Sequence, residues 1–426
     1  MTPSSVSDVI GKSATQGALS DADIEATVAA GLARLELGGK RVLVIIPDAT
    51  RTMPLPLFFR LLNQHLPDAR ALDFLVALGT HPAMPEEALL KLVGLTAEEK
   101  ARRYPKVRLL NHAWDDPNAL TVLGAIPAEE ISQISGGRLA MEVPVRLNRL
   151  VLEYDHLLIC GPVFPHEVVG FSGGNKYFFP GIAGPDIINF THWLAALITS
   201  YEVIGTKHTP VRKVIDRAAA MIPKPRSLIA PVVTHEGVAG VFCGSPEAAW
   251  AAAADLSAQR HIIWRDQPVQ QVLSVLPAMY DELWVGAKGM YKTEPAIADG
   301  GEVIIYAPHL HEVSVVHGKI IRQIGYHVRD YFVARWDEFK HLSWGVLAHS
   351  THLKGAGSYV NGVERPRIRV TLATGISAAE CRSLDLGYRD PASIDPKSFA
   401  NRESEGILYV PKAGEYLYRV RRKPGS

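Results

Sequence analysis

RVLVIIPDATRTMPLPLFFRLLNQHLPDARALDFLVALGTH, residues 41–81, reads as strand, polar tip, helix and strand again. Residues 41–47 are a continuous apolar run of strand length, the pattern of a strand buried on both faces of a parallel sheet. Asp48, Ala49, Thr50 and Arg51 follow directly, and residues 54–66 then place apolar side chains at helical spacing with proline near the start. The next strand, 71–79, runs into Thr80 and His81. Outward from this unit the grammar repeats. A helix is expected over 85–94, opened by Pro85 with two glutamates and closed by Gly94, followed by strands at 107–114, around His112, and at 155–164, before Pro165 and His166. Four strands therefore deliver Asp48 with Arg51, His81, His112 and His166 at their carboxyl ends, the edge at which an open α/β sheet binds ligands.

The last of these strands feeds GPVFPHEVVGFSGGNKYFFPGIAGPDIINFTH, residues 161–192. Two glycines after Ser172 allow backbone N–H groups to turn inward as an anion-binding nest, because glycine adopts positive φ without strain. Lys176 stands beside that loop, with His166 ten residues before it and His192 sixteen after it. An amine flanked by two histidines is equipped to hold a ligand and to move protons.

At 426 residues, 47% hydrophobic and 21% charged, with a formal charge of +1, the chain suits two globular domains and offers no electrostatic case for nucleic acid or an anionic membrane. The expected division is 1–265, an N-terminal α/β cofactor-binding domain, and 266–426, a C-terminal α/β domain whose tail packs back on the first. With no basic segment leading an apolar core at the start and no apolar run of membrane length, a cytoplasmic protein is expected. Cys160, Cys243 and Cys381 lack metal-type spacing and read as buried thiols.

Elsewhere, 5–38 reads as a polar lead and helix ended by Gly38 and Gly39, and 126–148 as an insertion or hairpin. Helices are expected after His192, over 207–223 and over 246–264, with strands at 227–235 and 239–245. In the second half, strands are expected at 282–287, 302–308, 367–375 and 406–414, and a helix over 288–301 capped by Gly300 and Gly301. His309 and His311 end the second of those strands, and 417–426 reads as a solvated basic tail. No HExxH, CxxC, Walker or GxGxxG motif is present; what remains is histidines, two lysines and an arginine suited to a carboxylate substrate.

DATR at 48–51, LGTH at 78–81, NH at 111–112, PHEVVGFSGGNK at 165–176, PGIAG at 180–184, His192, and KGM with EPAIADGG at 288–301 together resemble the nickel-pincer lactate racemase family. The resemblance runs from about 40 to 345, and its most specific part is the spacing of His166, Lys176 and His192 around Ser172-Gly173-Gly174. It implies an α/β enzyme of two domains, each a mostly parallel sheet flanked by helices, with the active site in the interdomain cleft. By the same resemblance Lys176 carries a pyridinium mononucleotide that binds nickel, His192 is the protein's nickel ligand, and His81 and His166 are the opposed bases. Asp48, Thr50 and the Ser172-Gly173-Gly174 loop hold the nucleotide, while Arg51, Lys288, His309 and Trp344 bind the substrate. The implied partners are a 2-hydroxy carboxylate and the proteins that synthesise the cofactor and insert nickel.

The chain departs from the family pattern in three stretches. Asn175 replaces the arginine before the lysine, DHTRP becomes DATRT through Ala49 and Thr52, and a tyrosine- and glutamine-bearing segment ahead of Lys288 is missing. The last change enlarges the pocket and points to a substrate longer than lactate, such as a sugar acid. The reaction expected is racemisation or epimerisation of a 2-hydroxy acid, with a nucleotide-dependent dehydrogenase or a non-catalytic carboxylate-binding homologue as alternatives.

Overall fold

A computed structural model describes residues 9–421. Its contacts divide the chain into two compact units, and the division is interleaved. The first holds the residues up to Phe164, Phe171–Ile188 and Arg212–Arg260; the second holds Pro165–Gly170, Asn189–Val211 and the chain from His261 onward.

The first unit is built on a seven-stranded sheet in the order Ile10–Ser13, Gly237–Gly244, Arg226–Thr234, His156–Cys160, Arg41–Ile46, Ala71–Val76, Leu109–Asn111. The last five run parallel, and Gly237–Gly244 is antiparallel to both neighbours. Strand Arg41–Ile46 is buried from its second residue on, as a strand covered on both faces must be, and helix Leu55–His65 packs Phe58, Phe59 and Leu62 against that core. Chain order runs outward from Arg41–Ile46 in one direction through Ala71–Val76 and Leu109–Asn111, then reverses to His156–Cys160 on its other side. That reversal is a topological switch point, where the two diverging loops leave a crevice at the strands' carboxyl ends. The loops there begin at Asp48 and Gly161.

The segment 120–148 is an antiparallel hairpin, Leu120–Ile126 against Val143–Asn148, with helix Ala128–Ser135 in its connection. His112 ties it down. Its Nε2 donates to the Ala183 carbonyl at 3.0 Å, and Asn148 Nδ2 donates to its Nδ1 at 3.0 Å. Burial pushes the His112 pKa down to about 4, against the opposing pull of the Ala183 carbonyl and Asp115. The unfolded chain therefore takes up this proton first as pH falls below the ordinary 6.5, so stability drops between that value and about 4 and levels off below. We expect His112→Gln to flatten the acid limb of thermal stability by up to about 1.4 kcal/mol per pH unit; parallel melting curves for the two proteins across that window would refute the assignment.

The second unit carries a five-stranded, wholly parallel sheet in the order Gly387–Tyr388, Arg369–Thr374, Ile297–Ala307, Val269–Val275, Ile407–Val410. Several expectations are corrected here. Residues 282–287 are not a strand: Leu283–Gly286 is helical, with Gly286 N–H donating to Glu282 O and Ala287 N–H to Leu283 O, and it leads into helix Lys288–Tyr291. A short apolar run fits a buried helix as well as a strand. The sheet position is filled instead by Val269–Val275. Helix 288–301 is likewise cut short, because Pro295 cannot continue it; a 3-10 turn over Glu294–Ala296 gives way to a strand from Ile297.

The chain ends differ from expectation as well. The lead contains strand Ile10–Ser13, and the helix is Asp21–Ala33, capped by the Ser20 hydroxyl accepting from Asp23 N–H; residues 5–8 of that expectation lie outside the described residues. The basic tail is a strand rather than a solvated end, since Leu417–Val420 pairs in parallel with Ile262–Arg265 and Leu417 is fully buried. Residues 422–426 of it lie outside the described residues. Among the described residues, no helix is long and apolar enough to cross a membrane. All three cysteines are buried free thiols.

Candidate active site

The first unit's contribution begins just past strand Arg41–Ile46. Asp48 Oδ2 lies 2.5 Å from His81 Nδ1, while Oδ1 accepts from both the N–H (3.0 Å) and the hydroxyl (2.6 Å) of Thr50. Burial opposes ionisation of Asp48, but the hydrogen bond and charge of His81, the charge of Arg51 and the Thr50 hydroxyl outweigh it and hold the carboxyl well below the usual carboxylate range. An ionised carboxylate at Nδ1 fixes a proton there, so the neutral form of the ring carries its lone pair on Nε2. Asp48 and Thr50, expected at the cofactor, are thus each engaged with His81 or with one another. Arg51 sits with its guanidinium 5.7 Å from the Phe164 ring centroid.

The glycine loop is held by its carbonyls. Buried Arg212 donates to Phe171 O and, at 3.2 Å, to Gly173 O, and its guanidinium lies 4.1 Å from the Trp250 ring. Trp250 Nε1 donates to Ser172 O at 2.8 Å. Gly173 and Gly174 have φ of +79° and +59°, and a Cβ would meet Val163 at 2.6 Å in the first case and Trp250 at 2.9 Å in the second, so only glycine fits. The Ser172 hydroxyl is internal, donating to Pro162 O and accepting from Phe164 N–H, both at 3.0 Å. Asn175, where the family pattern has arginine, donates to Asp216 at 3.0 Å and Glu247 at 2.7 Å. Lys176 is the partly exposed residue in the otherwise buried run 171–182.

In the second unit, His166 is buried and its Nδ1 accepts from Val168 N–H at 3.1 Å, with Glu167 Oε2 3.2 Å from the same nitrogen. His192 lies on helix Pro185–Ile198 between buried Thr191 and Trp193. Lys288 is buried, with Nζ 4.5 Å from the centroid of Tyr280, whose carbonyl accepts from His309 Nε2 at 3.2 Å. Tyr280 escaped the sequence reading. It precedes Lys288 by eight residues, and only the helical turn over Leu283–Gly286 folds it back under the amine. His311 packs against Gly375. Trp344 donates its indole N–H to Lys340 O at 2.9 Å and packs edge-on to Trp336, which stacks on Trp193.

The sequence profile of the lactate racemase N-terminal domain matches residues 9–205. The lactate racemases of Thermoanaerobacterium thermosaccharolyticum and Lactiplantibacillus plantarum are 25% and 26% identical over 282 and 297 residues. This chain belongs to the lactate racemase-like family. The two family matches take in 63% and 65% of the chain but span only 60% and 62% of those enzymes' own length. Over the whole fold the agreement is broader. The crystal structure of a protein from Thermotoga maritima is 33% identical, covering 93% of this chain and 98% of that one with a TM-score of 0.83. The structure of the lactate racemase apoprotein from T. thermosaccharolyticum, at 19% identity and a TM-score of 0.72 over 95% of this chain and 94% of that one, shares the fold.

Proposed function

We propose that this member of the lactate racemase-like family is a racemase or epimerase of 2-hydroxy acids that works with a nickel-pincer nucleotide tethered to Lys176, on a substrate longer than lactate. The observation that carries the reading is the 2.5 Å contact between Asp48 and His81 at the carboxyl edge of the first sheet, which prepares Nε2 as a proton acceptor.

The residues fit the cofactor. Lys176 offers an amine at the open point of a rigid loop, and Asn175 Oδ1 beside it is a buried acceptor with no hydrogen-bond partner among the described residues, suited to a donor group of a bound nucleotide. A phosphate there meets the N–H groups of Gly173 and Gly174 rather than the committed hydroxyl of Ser172. His192 would hold the nickel. When bound, this group supplies the hydride acceptor and donor at the α carbon.

The chain's own residues do the rest. His81 takes the hydroxyl proton of one enantiomer, and its imidazolium is stabilised by Asp48. His166 serves the other in the tautomer whose proton is on Nδ1, facing the Glu167 carboxylate 3.2 Å away in place of the Val168 N–H contact, which leaves Nε2 as the acceptor. Arg51 and Lys288 bind the substrate carboxylate, the latter held over Tyr280. Proteins that synthesise the cofactor and insert nickel are its partners.

The test is holo-protein, made with those proteins, incubated in deuterated water with lactate, malate, phenyllactate and aldonic acids and resolved by chiral chromatography. Inversion of an aldonic acid ahead of lactate is expected. Fastest inversion of lactate would overturn the substrate, and no inversion by a protein carrying both nickel and the adduct would overturn the reaction.

A further inference from the structure

Helix Trp344–Lys354 places His349 and His352 one turn apart on the same face. Both are buried, at 7% and 3% exposure. Their polar neighbours on the helix are satisfied within the fold: Ser350 donates to Gly325 O and Thr351 to Ala348 O, both at 2.8 Å. The histidines are not. Among the described residues, Nε2 of His349 and both ring nitrogens of His352 have no hydrogen-bond partner, and neither has the hydroxyl of fully buried Tyr326, whose ring meets His349 edge-on with centroids 5.8 Å apart. Four orphaned polar atoms in one neighbourhood are costly, because each has been taken from water with nothing in return.

Their surroundings hold these groups in place and locate them. Trp284 packs against His349 with ring centroids 3.9 Å apart and against His317 at 4.4 Å. His349 lies within electrostatic reach of His317 and His192, and His352 within reach of His192 and Glu167. Both histidines thus lie near His192, and His352 also near Glu167, the neighbour of His166.

Their chemistry selects the ligand. The ring nitrogens do not converge as a metal site, for among the described residues the only three such ligand atoms within 4.8 Å of one another belong to His327, Glu364 and Asp385. Burial keeps the two imidazoles and the phenol neutral. A neutral imidazole and a phenol each present a donor and an acceptor, as a hydroxyl does; a second carboxylate or a phosphate calls for a cation.

We propose that His349, His352 and Tyr326 are specificity-determining residues that hydrogen-bond substrate hydroxyls beyond the α carbon, so that a polyhydroxylated monocarboxylate is preferred to a dicarboxylate or a short 2-hydroxy acid. This rests on the reaction proposed above.

The test uses holo-protein and the variants His352→Leu, His352→Gln and His349→Gln, with a six-carbon aldonate, malate and lactate as probes. His352→Leu removes two orphaned atoms, so its ligand-free melting temperature should rise, whereas a residue needed for structure would lower it. Its calorimetric affinity and kcat/KM for the aldonate should fall at least about tenfold, and those for lactate less than about twofold. His352→Gln, which keeps a donor and an acceptor, should recover most of the loss, and His349→Gln should likewise lose less aldonate affinity than His352→Leu. A lower melting temperature with equal losses for all three ligands, or tightest binding of malate or lactate to the parent, overturns the proposal. Binding separates it from the reaction: aldonate affinity that depends on His352 without turnover sinks the racemase reading and keeps this one, and turnover with lactate or malate preferred does the reverse.

Discussion

Replacing Lys176 by alanine should remove every trace of the covalent adduct and reduce turnover to background. The parent, produced with the cofactor-synthesis and nickel-insertion proteins, should be heavier than its sequence by one nucleotide adduct mapped to Lys176 in intact-mass and peptide analysis. The expectation rests on the loop. Arg212 and Trp250 take the carbonyls of Phe171, Ser172 and Gly173, and Asn175 anchors to Asp216 and Glu247, so the backbone that presents Lys176 is fixed from three directions. No neighbouring amine can take its place without unmaking those bonds. Because the Lys176 side chain is partly exposed among buried neighbours, its loss should leave the melting temperature of the apo-protein within a few degrees of the parent. An adduct persisting on K176A, or a parent that racemises while unmodified, would refute the assignment.

How far the sequence alone reached was set by which interactions are local. The strands of the first unit were readable because burial on both faces writes itself as apolar runs at 42–46, 74–76 and 157–160, punctuated by polar tips. The same rule failed at 282–287, where the run is equally apolar but is buried as a helix, and that error hid Tyr280 from its place beneath Lys288. Pro295 was a local signal against a helix over 288–301 and was outweighed by the glycines that follow. Leu417–Val420 pairs with a strand some 150 positions earlier, a register that no neighbouring residue encodes. His81, His166, Lys176 and His192 stand out by spacing, but Asp48's bond to His81 joins two strand ends 33 residues apart. His349 and His352 were silent in the sequence, since a helix face carrying two histidines reads as ordinary until their nitrogens prove to be buried without partners.

Asp48→Asn should cost roughly 10²–10⁴-fold in kcat while leaving nickel and the adduct in place. The reason lies in the orientation of the new amide. Thr50 donates both its N–H and its hydroxyl to Asp48 Oδ1, so in the variant the oxygen stays on Thr50 and the NH2 group turns toward His81. Nδ1 of His81 must then accept, its proton moves to Nε2, and the lone pair that takes the substrate proton is gone. The double variant D48N/T50V loosens that orientation and should recover part of the rate, which a loss through misfolding would not. Stability supplies an independent sign. Asp48 is held far below its ordinary 3.8, so the folded state binds that proton later than the unfolded one; its contribution is complete above about pH 4 and is lost as pH falls further. The difference in melting temperature between parent and D48N should therefore be largest near neutrality and shrink steadily below pH 4. A D48N protein with undiminished kcat, or a stability gap that widens in acid, would remove the dyad from the mechanism and leave His81 as an ordinary strand-end histidine.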